Sequence, residues 1–231
     1  MVTISHLVEK IIEKKPFIQE ALSKGIINNA ALAEELKPII EKELKKKIKF
    51  SAVNMAIRRL SEKLKNNFTE NTKFDNKSDI TIKSNLVEIV VYKEQETQEK
   101  IKKVHDLIDF KKGDFFSVTQ GNYEVMIIIN EKHEQKVKTF FDKKNIKKVI
   151  SGLSSLTVNL PEEAVETIGY FYVVTRALNW ENINIVDIVS TFTEMTFIVK
   201  EEDAAASFNT LRKLIKNKSY YSISDWKMTP P

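Results

Sequence analysis

An internal repeat constrains this chain more than any other feature. Glu124 matches Glu194, Ile128 matches Ile198 and Glu131 matches Glu201, each at an offset of 70 residues. Ile80-Thr81 matches Ile150-Ser151 and Ser84-Asn85-Leu86 matches Ser154-Ser155-Leu156 at the same offset, so the register predicts a gapless copy. A period of this length is one supersecondary unit used twice. Within each copy the apolar spacing switches between strand and helix periods. SNLVEIVVY reads as a strand and QETQEKIKKVHDLI as a helix. DFFSVTQ and NYEVMIIIN read as a hairpin around Gly121-Asn122, and EKHEQKVKTFFDKK as a second helix. The second copy runs LSSLTVNL, GYFYVVTRALNWEN, INIVDIVS, EMTFIVK and EEDAAASFNTLRKLI, with KSYYSIS as its last strand. The order is β-α-β-β-α-β, which is ferredoxin-like. Ile146 to Leu160 must close the first copy and open the second, and only Gly152 offers a break there.

Upstream of the repeat the pattern is helical. Ser5 is placed to cap a helix whose apolar face is Leu7, Val8, Ile11 and Ile12. Pro16 opens a second helix that Gly25 stops, and Asn28 or Asn29 caps a third, which Pro38 interrupts. Ser51 caps a fourth. Its apolar face is Val53, Ala56 or Ile57, Leu60 and Leu64, and its polar stripe is Asn54, Arg58, Ser61 and Lys65. The polar, Asn-rich stretch 66–78 cannot bury much apolar area and reads as a linker. The predicted organisation is a helical, helix-turn-helix-like domain at 1–66, a linker at 67–78, and βαββαβ units at 79–149 and 150–231. The fold class is α+β.

Charge separates these parts. Residues 1–70 hold 14 Lys+Arg against 9 Asp+Glu, and the remainder holds 23 (37 − 14) against 23 (32 − 9), so the whole net charge of +5 sits in the first segment. A local cationic excess suits a polyanionic partner. With no cysteine, thiolate metal sites, disulfides and cysteine nucleophiles are excluded. The first 15 residues lack the apolar run of a signal peptide, and no stretch approaches the length of a membrane span. The expected location is the cytoplasm.

NINIVDIVSTFTEMTFIVKEEDAAASFNTL resembles the hairpin and second helix of an ACT domain of the aspartokinase type. Asn184-Ile185, Ile188-Val189-Ser190-Thr191, Glu194, Phe197, Val199 and Asp203-Ala204 carry the likeness, which covers residues 150–216. The first copy inherits it through the repeat. The whole chain is also similar to archaeal proteins described as predicted regulators of amino-acid metabolism, which join a GIINNAALAEEL-like stretch and an AIRRL-like helix to ACT domains. The resemblance implies a regulator that binds a small ligand, an amino acid or similar molecule, between paired domains. It implies ligand contacts at Glu166, Thr167, Ile168, Gly169 and Tyr170, where glycine would let backbone N–H groups approach a carboxylate, and at Asn184. Glu99 stands where the first copy would need that glycine.

Two roles stay open for the helical domain. Arg58, Arg59 and Lys65 are candidates for DNA phosphates and Asn54 for a base edge, whereas docking on a metabolic enzyme needs only a solvated face. The helix at 170–180 carries a second apolar stripe, Tyr170, Val173, Ala177 and Trp180, which points to a subunit interface and a homodimer. His6, His105 and His133 lack metal-ligand spacing and read as surface residues. Ser154-Ser155 matches a nucleophile only by residue type. No G-x-S-x-G, P-loop, dinucleotide or kinase motif occurs, so no catalytic residue, metal or cofactor is assigned and the chain is read as a non-enzyme.

Overall fold

The computed structural model describes residues 3–67, 74 and 78–216. They fall into two compact units, which are described separately. No helix among the described residues is long and apolar enough to cross a membrane.

The first unit is four helices: α1 (Ile4–Glu13), α2 (Pro16–Ser23), α3 (Asn29–Leu44) and α4 (Phe50–Asn67). They close on one core that includes Val8, Ile12, Leu22, Ala33, Ile40, Val53 and Ile57. Thr3, not Ser5, caps α1, with its hydroxyl accepting the His6 N–H. The Asn28 side chain accepts the N–H groups of Ala30 and Ala31 and so caps α3. Pro38 does not interrupt α3. It lies exposed inside the helix, where water can reach the Glu34 carbonyl that lost its partner. Ser61 leaves the expected polar stripe: it is buried, and its hydroxyl donates to the Leu22 carbonyl at 2.9 Å. Phe50 begins α4, one residue before the expected cap at Ser51.

The second unit is one six-stranded antiparallel sheet with β1 (Ile80–Tyr92), β2 (Phe116–Gln120), β3 (Glu124–Asn130), β4 (Ile146–Asn159), β5 (Ile185–Ser190) and β6 (Glu194–Lys200) in the order β2-β3-β1-β4-β6-β5. α5 (Thr97–His105) and α6 (Glu134–Lys138) pack with Val87, Ile89, Val125, Ile127 and Ile129. α7 (Tyr170–Trp180) and α8 (Ala204–Lys216) pack with Leu156, Val158, Met195, Phe197 and Val199. The second helix of the first copy is cut to five residues, against 13 in α8, because the chain must turn back into β4.

The two copies are interlocked rather than tandem. Ile80–Lys83 of β1 pairs with Ser155–Val158 of β4, so the start of the first copy fills the outer strand position of the second. The expected last strand at 218–224 lies outside the described residues. The repeat register also differs from the gapless expectation. β3 and β6 do keep the offset of 70, but Tyr92 faces Glu124 as Asn159 faces Glu194, which sets the long strands 67 apart (159 − 92). The longer loop before α7 in the second copy takes up the difference. In the 67 register Asn85 and Gly152 are equivalent, and both adopt left-handed backbone, at φ 56° and 69°. They mark matching bulges on β1 and β4, and bulges bend and twist strands.

That bend folds the sheet on itself. Leu86, Ile128, Leu153 and Ile198 point away from the helix-packed cores, yet they form a fully buried cluster of their own with Met126, Ile150, Val186 and Val189 around them. A single cavity is lined by Thr119 of edge strand β2 and Asp187 of the opposite edge strand β5. In a flat sheet those strands would stand about 24 Å apart, five spacings. The helix-free faces of the two halves therefore meet, and their contact adds on the order of 2 kcal/mol for each large side chain it buries.

Candidate functional site

Two cavities open along the meeting of the halves. One, of about 640 Å³, is walled by Lys148, Ile150, Ser151 and Gly152 of β4, by Asn184–Val186, and by Lys200, Glu201 and Glu202 at the end of β6. The other, of about 350 Å³, is walled by Val90, Thr119, Gly121, Glu124, Met126, Lys147, Lys148 and Asp187. Both volumes suit small molecules. Lys148 borders both cavities, and the consecutive residues 184–187 line them in turn, so they form one cleft against β5.

The charges of the cleft are unevenly matched. Lys147 is paired to Glu124 at 2.7 Å and Lys200 to Glu202 at 3.4 Å. Glu88, on β1 opposite Ile150, is buried, and its Oε2 has no hydrogen-bond partner. Burial raises its pKa above the usual carboxylate range, the Asp187 charge raises it further, and Lys148 opposes both.

The sequence-derived ligand residues do not meet within one chain. Gly169 caps the N-terminus of α7 at φ 117°, a conformation that side chains resist. Its loop leaves β4 beside the β5–β6 turn, where the Leu160 N–H donates to Thr193. Glu166 and Ile168 are exposed there, Thr167 is partly exposed, and Tyr170 is buried against Phe74. Asn184 lies at the other end of β5, in the larger cavity. The expected interface stripe is mostly internal: Tyr170, Val173 and Ala177 belong to the core over β4 and β6, and only Trp180 is exposed. The surplus apolar stripe is explained by that core, to which Phe74 and Ile80 add a flank outside the helix–sheet contact.

His133 is not a plain surface residue. Its Nε2 lies 2.8 Å from Asp114, whose buried carboxylate also binds Lys132 and the Asp109 N–H. At the hairpin offset of 70 this is the position of Asn184, so the first copy fills with its own cations a place that the second leaves to a cavity. No cluster of three or more metal-binding side chains occurs among the described residues.

On α4, Arg58 and Arg59 are exposed, Asn54 is half-buried and Lys65 is exposed. Arg58 shares Glu62 at 3.4 Å, and Lys63 is held by Glu9 at 2.5 Å. Glu41 accepts the Ile48 N–H and pairs with Lys37, which pins the turn carrying Lys45, Lys46, Lys47 and Lys49 at the surface. The spacing of apolar residues in α4 put Arg58 and Lys65 on the exposed side but misplaced Ser61, which is buried. The cleft residues Lys148 and Asp187, and Glu88 buried near them, were missed. Glu88 and Asp187 each showed only as a charge inside an apolar run, LVEIVVY and NIVDIVS, and Lys148 as one lysine of a Lys-Lys pair.

The sheet unit is similar in fold to part of Clostridium acetobutylicum aspartate kinase, described as an allosteric enzyme, with a TM-score of 0.51 at 16% identity over 66% of this chain and 37% of that one. The match thus spans little more than a third of the kinase. The regulatory subunits of aspartate kinase from Thermus flavus and Thermus thermophilus also align, at TM-scores of 0.49 and 0.48 and 10% identity, over 63% and 59% of this chain and 100% and 97% of theirs. At these identities the likeness is one of fold. No protein-family model and no curated protein sequence matches the chain.

Proposed function

We propose that this protein is a non-catalytic, cytoplasmic regulator of amino-acid metabolism. Its ACT-like sheet unit senses a small ligand, an amino acid or close relative, and passes the state on to the basic helical unit. The observation that carries this reading is a charged cleft in a unit whose fold recurs in an allosteric aspartate kinase. The glycine loop and Asn184 lie at opposite ends of the second copy, so a ligand held by both must bridge two chains, which favours a homodimer. The helical unit contacts DNA phosphates through Arg58, Arg59 and Lys65, with Asn54 reaching a base edge. A thermal-shift screen of the standard amino acids tests the sensor, because a ligand that binds only the folded state raises its melting temperature. If none shifts the melt at millimolar concentration, the sensor reading fails.

A second role for the helical unit is docking on a metabolic enzyme. Met55 is exposed on the same face of α4 as Arg58 and Glu62, and Ile26 and Ile39 are exposed elsewhere on the unit. Apolar and acidic residues among the cations suit a protein partner better than a phosphate backbone. Duplex DNA titrated across a salt series separates the two roles: absence of binding at low salt leaves the docking role.

A further inference from the structure

The pseudo-twofold of the sheet allows the cleft to be compared with its own symmetry mate. The long-strand offset of 67 relates Glu88 to Ser155 and Thr81 to Lys148, and the hairpin offset of 70 relates Ser117 to Asp187. The pairings agree: Val90 faces Lys148 as Thr81 faces Thr157, Glu88 faces Ile150 as Lys83 faces Ser155, and Ser117 faces Ile128 as Asp187 faces Ile198. One end of the joint between the halves therefore carries two carboxylates and an ammonium at these three positions, where the related end has three hydroxyls. The related end has its own ammonium, Lys83, in the place of Ile150, donating to the Gly113 carbonyl at 2.9 Å. The hydroxyls at Ser155 and Ser117 show that packing alone does not require a carboxylate at either position. Each end buries an unpartnered polar atom, Glu88 Oε2 here and Ser155 Oγ at the related position, and the carboxylate costs more than the hydroxyl, so the charged end is maintained against the fold's interest.

We propose that this charged end is a ligand site, in which Lys148 holds a carboxylate while Asp187 holds cationic nitrogen and the buried Glu88 adds negative charge to the wall. The inference rests on the reading that the sheet unit binds a small ligand, but it places that ligand inside the joint and not at the glycine loop. The neighbouring pairs Lys147–Glu124 and Lys200–Glu202 neutralise themselves. What remains is the Lys148 ammonium against Asp187 and Glu201 on the walls and Glu88 buried beside them, which a net-cationic molecule with one carboxylate and two basic groups complements. Val90 and Met126 line the same cavity and offer apolar wall to a carbon chain. An amino acid with a basic side chain has this shape and charge. A ligand here touches both halves of the folded sheet, so binding favours the closed joint.

Calorimetry on the full chain with L-arginine, L-lysine and L-ornithine, against L-leucine, L-aspartate and putrescine, tests the proposal. The basic amino acids should bind more than tenfold more tightly than the three controls. Lys148→Met should weaken them about tenfold or more, and so should Glu88→Ser with Asp187→Ser, which copies the composition of the related end and so should fold. Circular dichroism confirms folding, and Glu88→Gln, a near-isosteric neutral variant, serves if the double variant does not fold. Binding that survives these changes but is lost in Gly169→Asp overturns the joint site and leaves the sensor reading intact. Tighter binding of leucine or aspartate also overturns it. Failure of all six probes to bind removes this inference, while a hit from another amino acid in the melting screen would still support the sensor.

Discussion

Glu88 and Asp114 are both buried carboxylates, but their environments push them in opposite directions. Around Glu88, burial and then the Asp187 charge favour the protonated form, so the folded chain holds that proton to higher pH than the unfolded chain does. Between the ordinary carboxylate range and that raised value the native state binds the extra proton, and stability falls as pH rises. Glu88→Gln is therefore expected to stabilise the protein at neutral pH by on the order of 1 kcal/mol, with the gain disappearing in acid. Urea melts at the two pH values check it. Asp114 is the reverse case. Lys132 first, then His133 and the Asp109 N–H, hold it well below the usual range. Its contribution is present above the unfolded pKa and is lost as pH falls through the folded one. Asp114→Asn should cost about 2 kcal/mol at neutral pH, the scale of hydrogen bonds to charged partners, and less in acid. The same melts read it. Asp114 could not be found from sequence, because its three partners come from a loop and from the start of the next helix, brought together only by the hairpin between them.

At the scale of elements, the two bulges decide the architecture. Gly152 has left-handed backbone and nothing within 4 Å of the place where a Cβ would sit. Its equivalent is Asn85, which tolerates that conformation. Gly152→Asn is thus expected to cost less than about 1 kcal/mol, and Gly152→Val roughly 1–3 kcal/mol from backbone strain alone, measured by thermal melts. Equal losses for both would mean the bend does not depend on the left-handed residue. In the helical unit Pro38 sits exposed within α3. Pro38→Ala should raise stability by up to about 3 kcal/mol, since the helix already runs through that site. The strands, hairpins and most helices were legible because apolar period marks them directly. The bend was not, because Asn85 within a strand pattern carries no periodic signal and Gly152 read as a break between strands. The exchange of strand positions was hidden too: Ile80–Lys83 suits either half, and only the pairing with Ser155–Val158 assigns it.

The whole molecule joins a basic helical unit to a nearly neutral sheet unit. On the proposed DNA role, Arg58→Ala with Arg59→Ala in the full chain should flatten the salt dependence of duplex binding by about two units, one per lost phosphate contact. Folding should be unchanged, because both side chains are exposed. An unaltered slope would place the contacts elsewhere, with the lysines at 45–49 as the next candidates. The exchange of strand positions has a consequence for how the chain is made. β1 is synthesised early, yet its first residues pair with Ser155–Val158 and its inward face is covered only when β5 and β6 are in place. A nascent chain that stops before Lys200 holds the first copy's helix-packed core, but it lacks α8 for the second, and a chain that stops before β6 leaves Leu86 and Ile128 uncovered. Pairing across so many residues carries a loop-closure cost before contacts repay it, so this unit should refold slowly and in one cooperative step. A fragment ending at residue 149 keeps every residue of the first helix-packed core but exposes Leu86 and Ile128, so it should be less stable than the full sheet unit, and protease attack during synthesis should persist until the second hairpin has emerged.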